Sequence, residues 1–161
     1  MIKRRHFLSG LLSFGATTLL ANTTKTPHIP KKSLYPKRLE KGQTIGLIAP
    51  GFAVSQEKIT QIVLFLEQSG FKVFQTGRIG HHGYFSNTDE QRALDVMEMF
   101  SNPSIDAILC ARGGYGCTRI LDLLDYNIIK NNSKILLGFS DVTALIQGIY
   151  SKTGLIGFHG P

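Results

Sequence analysis

The residues whose types and spacing best suit chemistry are Ser140 and Asp141. They follow the short apolar run Ile135-Leu136-Leu137 and precede Ala144, Leu145 and Ile149 at helical spacing. Strand, tight turn and helix in that order hold a serine out beyond the carboxyl edge of a sheet, as a nucleophile elbow does. The turn also lies at a helix N-terminus, where unpaired amides and the helix dipole favour negative charge. Val142 stands where the G-x-S-x-G pattern of hydrolases has its second glycine. Capping of the helix by Ser140 or Asp141 is the competing reading, and capping suits the Asp141 carboxylate better than orienting a base.

A second stretch, Arg112-Gly113-Gly114-Tyr115-Gly116, follows the apolar run ending at Cys110. Three glycines in four residues let backbone approach a ligand and aim N–H groups at it. Opposite an exposed serine, such a loop can supply an oxyanion-hole donor. It can also be a tight strand-to-helix turn that binds nothing. A phosphate cradle is a weaker option, because no Gly-Lys-Ser/Thr ending is present. Arg112 suits bidentate contact with a substrate carboxylate, or a structural ion pair, and Tyr115 is open in the same way. Cys110 and Cys117 flank this loop at a spacing that matches no common metal pattern, and two ligands cannot close a zinc site. Two buried or half-buried thiols is the simpler reading; a disulfide is the alternative.

The elements that must position these residues alternate. Thr44 to Pro50 reads as a first strand, with Gly51 continuing the loop at its end. Ser55 caps a helix carrying Ile59, Ile62, Val63 and Leu66 on one face, and Gly70 ends it. Phe71 to Phe74 is the next strand, and Gly80 to Phe85, with His81 and His82 solvated, is a loop. Thr88-Asp89-Glu90-Gln91 has the form of a capping box opening a helix through Ala93, Val96, Met97 and Phe100. Asp106 to Cys110 is the third strand. A helix around Ile120 to Leu124, a fourth strand at Ile135 to Leu137 buried on both faces, the helix after Ser140 and a last strand at Leu155 to Phe158 complete the set. Strands alternating with helices predict an α/β fold with a doubly wound, mostly parallel sheet in three layers. Ligands bind such sheets beyond the carboxyl ends of the strands, where Ala49-Pro50-Gly51, Arg112 to Gly116 and Phe139-Ser140-Asp141 all fall.

The 161 residues carry a net charge of +7, unevenly spread. Residues 1–41 hold nine Lys and Arg against one acid, whereas residues 42–161 hold nine against ten. The folded part therefore lacks the basic surface that nucleic acid requires. Residues 1–22 read as a twin-arginine signal peptide: Arg4-Arg5 in the context Lys3-Arg-Arg-His6-Phe7-Leu8, then a modestly apolar stretch too short to span a membrane. Residues 23–42, with three prolines and six Lys and Arg up to Lys41, are expected to be a linker, and 43–161 the folded domain. The expected location is the periplasm, with no membrane span in the mature chain.

Together, Ile45-Gly46-Leu47-Ile48-Ala49-Pro50, Arg112 to Gly116, Gly138 to Leu145 and the closing His159-Gly160-Pro161 resemble the N-terminal domain of the LD-carboxypeptidases. These serine peptidases include murein tetrapeptide carboxypeptidase and the microcin C self-immunity peptidases. The resemblance implies a class I glutamine amidotransferase-like or flavodoxin-like sheet. It implies hydrolysis of the L,D-peptide bond that releases a terminal D-alanine from a murein-derived peptide, without a cofactor or metal. Ser140 matches the nucleophile, the backbone amides of Asp141 and Gly114 match the oxyanion hole, and Arg112, Gly113 and Tyr115 fall on the substrate side. The family's catalytic Glu and His belong to a C-terminal domain, which is expected to lie outside these 161 residues. A separately encoded C-terminal half is therefore one expected partner, and a second copy of the chain another. An inactive remnant or peptide-binding module is the alternative function. His159, just past the last strand, matches the family's closing segment and not its triad, which implies a structural or interdomain role.

Overall fold

The structure, a computed structural model, describes residues 32–80 and 83–160. The expected signal peptide, the first part of the linker, His81, His82 and Pro161 lie outside the described residues. The elements in chain order are β1 (Thr44–Ile48), α1 (Gln56–Gln68), β2 (Lys72–Gln75), α2 (Asp89–Ser101), β3 (Ala107–Cys110), a 3-10 helix (Cys117–Leu123), α3 (Tyr126–Asn131), β4 (Ile135–Gly138), α4 (Val142–Thr153) and β5 (Phe158–His159). The strands form one sheet in the order β2-β1-β3-β4-β5. Every pairing is parallel, with Ile45 opposite both Val73 and Ala107, Ala107 opposite Ile135, and Gly138 opposite His159.

Local chemistry accounts for the element boundaries. The hydroxyl of Ser55 accepts from the Lys58 amide and starts α1, and that of Thr88 accepts from the Gln91 amide and starts α2. Past the end of α1, Gly70 takes the left-handed conformation (φ 90°) that closes a helix without steric cost. The sheet's two faces differ. On one, Ile48, Ile108 and Leu136 are sealed beneath Val96, Met99 and Phe100 of α2, Ile120 of the 3-10 helix, Ile129 of α3, and Leu145 and Ile149 of α4. On the other, Ile59, Ile62 and Leu66 of α1 cover Ile45, Leu47 and Val73, and reach as far as Leu109.

Four features differ from the reading of the sequence. The strand at β4 is not buried on both faces: Leu136 and Gly138 are, but Ile135 and Leu137 are half-buried, because α1 does not extend over that part of the sheet. A helix not read from the sequence, α3, follows Asp125, whose carboxylate accepts from the amides of Asn127 and Ile128. The last strand is shorter and later than expected, since Leu155 instead sits in a bridge with Leu34: Leu34 N–H donates to the Gly154 carbonyl, and Ile156 N–H to the Leu34 carbonyl. The folded part thus extends back into the expected linker, where Leu34 and Leu39 pack on the core. Among the described residues no helix is long and apolar enough to cross a membrane.

Candidate active site

Parallel strands put all their carboxyl ends on one edge, and the three loops singled out above meet there. Ser140, between β4 and α4, is the one described non-glycine residue with positive φ, at 55°. Side chains avoid that region at a cost of roughly 1–2 kcal/mol, so the corner is held by its surroundings. What holds it is the glycine loop. A Cβ on Gly113 would lie 2.7 Å from the Phe139 carbonyl oxygen and 2.8 Å from the Ser140 Cβ, closer than real contacts allow. On its far side Gly113 meets Gly51, and its carbonyl accepts from the Phe52 amide at 3.2 Å. Gly114, at φ 102°, lies against the Phe52 ring.

The Asp141 carboxylate does not cap its own helix, which corrects the capping expectation. It accepts from the Cys117 amide at 2.8 Å, capping the 3-10 helix of the glycine loop and tying that loop to the elbow. Neither the Asp141 nor the Gly114 amide donates to another described residue. Ser140 is solvent-exposed, and its hydroxyl has no hydrogen-bond partner among the described residues. His159 is exposed at the end of β5, next to Gly138, whose carbonyl accepts from Gly160. Among the described residues Arg112 forms no ion pair, so the structural ion pair considered for it is absent. One guanidinium nitrogen donates to the Ala53 carbonyl at 2.9 Å, and the group stacks 5.4 Å from the Phe52 ring centroid. Tyr115 is exposed and stacks on Phe85.

The sequence reading missed Arg92. This α2 residue is 0% exposed, and one of its nitrogens donates to both the Pro50 and Gly116 carbonyls, joining the loops after β1 and β3. Its other terminal nitrogen pairs with Asp89, and its guanidinium lies 4.8 Å over the Phe85 ring. Its Nε has no described partner. A signal was present: Arg92 falls in line with Val96, Met99 and Phe100 on the buried stripe of α2. Asp89 also bonds Arg119 at 2.8 Å, and these cations, Arg119 foremost, hold its carboxyl below the usual range. Cys110 and Cys117 are both free and buried. Burial pushes both thiols well up, with the Asp141 carboxylate adding to the effect at Cys117. Among the described residues no three His, Cys, Asp or Glu side chains gather as metal ligands would.

Comparison with known proteins places this arrangement in a family. The family model for the LD-carboxypeptidase N-terminal domain matches residues 45–160. The chain belongs to the LD-carboxypeptidase family. A probable murein peptide carboxypeptidase from Bacillus subtilis is 41% identical over 128 residues, covering 78% of this chain and 40% of the relative. The murein tetrapeptide carboxypeptidase of Pseudomonas aeruginosa is 35% identical over 120 residues, covering 73% and 38%. Among solved structures, the microcin C7 self-immunity protein MccF in complex with aspartyl sulfamoyl adenosine superposes with a TM-score of 0.76 at 38% identity, covering 80% of this chain and 39% of that one. The chain spans about two fifths of the length of the curated relatives it matches. In this LD-carboxypeptidase domain, as in the structural neighbours, the fold is a parallel α/β sheet.

Proposed function

We propose that this chain supplies the nucleophile-bearing half of a serine-type LD-carboxypeptidase, which releases a terminal D-amino acid from a murein-derived peptide. The observation that carries this reading is the left-handed Ser140 packed against Gly113 at the end of β4. In the reaction the Ser140 oxygen attacks the carbonyl carbon of the L,D-peptide bond while a base takes the hydroxyl proton. The amides of Asp141 and Gly114, which donate to no other described residue, are the donors for the oxyanion. The amine of the D-residue leaves with a proton, and water then hydrolyses the acyl-enzyme. By resemblance to the family, the base and its orienting carboxylate are a His and a Glu from polypeptide beyond the matched domain. A serine hydroxyl without a base is a weak nucleophile.

The test is D-alanine release from a peptide ending in L-Lys-D-Ala, with the chain alone and with a relative's C-terminal part added in trans. Release is expected only with the added part, and is expected to be lost in Ser140→Ala. Equal release from wild type and Ser140→Ala would remove Ser140 from the mechanism. That the Ser140 hydroxyl has no partner among the described residues is what supports the second reading, a peptide-binding module: binding without release under every condition would favour it. We also propose export by the twin-arginine route to the periplasm, on the Arg4-Arg5 pair. Replacing both with Lys should trap the precursor inside the cell; unchanged export would refute that route.

A further inference from the structure

A cavity of about 720 Å³ opens beside the elbow at the carboxyl edge, lined among others by Phe52, Ser55, Lys58, Tyr84, Arg112 and Phe139. Two backbone links place it against the reacting corner. Phe139 directly precedes Ser140, and Arg112 directly precedes Gly113, the residue packed on Ser140. The volume lies within the range of small-molecule sites, roughly 300–1,000 Å³.

The lining carries two cations and no acid. Among the described residues neither Lys58 nor Arg112 pairs with a carboxylate. Arg112 is already fixed, with one nitrogen on the Ala53 carbonyl and the Phe52 ring beneath its guanidinium. Holding a guanidinium in place beforehand reduces the ordering cost of binding, and its remaining donors match a carboxylate. Lys58, in the first turn of α1, brings a second positive charge to the lining. Uncompensated cations in a cleft raise the local concentration of anionic ligand.

We propose that this cavity is a carboxylate subsite, in which Arg112 and Lys58 together bind the free C-terminal carboxylate of the peptide whose last bond lies at Ser140. This rests on the reading of Ser140 as the nucleophile and adds what selects the end of the substrate. An enzyme that removes only the last residue must distinguish a chain end from a chain interior, and the chemical difference between them is that charge. Arg112 fixes the carboxylate's orientation through hydrogen bonds, and Lys58 supplies charge at longer reach.

The experiment is calorimetric titration of the full chain, carrying Ser140→Ala to prevent turnover. The probes are a synthetic peptide ending in L-Lys-D-Ala and the same peptide as its C-terminal amide. The free acid is expected to bind about tenfold more tightly, the size of one charge-assisted hydrogen bond. Arg112→Gln and Lys58→Gln should each remove most of that preference while leaving the amide's affinity unchanged. Lys130→Gln, the same charge change in α3, should leave it intact, separating a local effect from net charge. Equal binding of acid and amide would overturn the subsite and leave the reading of Ser140 standing. Failure to bind either peptide would likewise overturn the subsite, the reading of Ser140 being decided separately by D-alanine release with the added C-terminal part, and tighter binding of inorganic phosphate than of the acid would reassign the cavity to phosphate.

Discussion

The two faces of the sheet are built from the same strands to different standards. On the sealed face Leu136, Ile108 and Ile48 meet three helices and the 3-10 helix, and Val96, Met99, Phe100 and Leu145 are wholly buried. On the other face α1 is the one helix among the described residues. Leu137 and Leu109 line an apolar groove with Ile62, Phe65 and Phe139, and Phe65 is 68% exposed. Parallel sheets ordinarily have both faces covered. The difference teaches that the fold is held chiefly by one face, while the candidate cavity opens at the top of the other.

The strongest way to break this comparison is to cut into the sealed face. Phe100→Ala should cost about 3–5 kcal/mol in denaturant unfolding, while Phe65→Ser on the open face should stay within about 0.5 kcal/mol. Similar losses at the two positions would end the distinction. A smaller effect is expected from Arg92→Met, which leaves the Pro50 and Gly116 carbonyls without their buried donor, at about 2–4 kcal/mol. Arg92→Lys should recover only part of that loss, because one ammonium cannot reproduce the planar fork. Full recovery by lysine would show that charge alone matters there.

The smallest expected effect is a slope with pH. Arg119 and Arg92 hold the folded-state carboxyl of Asp89 below its unfolded value, so its contribution to stability is complete above the ordinary carboxylate range. That contribution disappears as pH falls through the folded value. The stability difference between wild type and Asp89→Asn should therefore be full at neutral pH and shrink in acid. A difference that stayed constant down to low pH would show that the ion pairs contribute nothing.

Much of this was legible because the signals are local. Ser55 and Thr88 cap their own helices, Gly70 ends one, and the glycine loop and Ser140 sit immediately after apolar runs. What stayed hidden depends on distant partners. Ile135-Leu136-Leu137 reads the same whether one face or two will be covered, since burial is decided by which helices arrive. The Asp141 carboxylate finds an amide 24 residues away, which no spacing rule reveals. Arg92 was masked by its charge, although its place on the apolar stripe of α2 marked it for the interior. The helix α3, six residues long, is too short for periodicity to register.

The bridge between Leu34 and Leu155 also fixes where a tether would pull. Leu155 lies three residues before Phe158, the partner of Leu137, and so stands level with the amino ends of the strands. Polypeptide preceding Leu34 therefore joins the domain at the end opposite Ser140. Tension applied through it loads two backbone hydrogen bonds at that end and leaves the cleft unstressed. A domain held by its leading segment would turn its cleft away from the point of attachment.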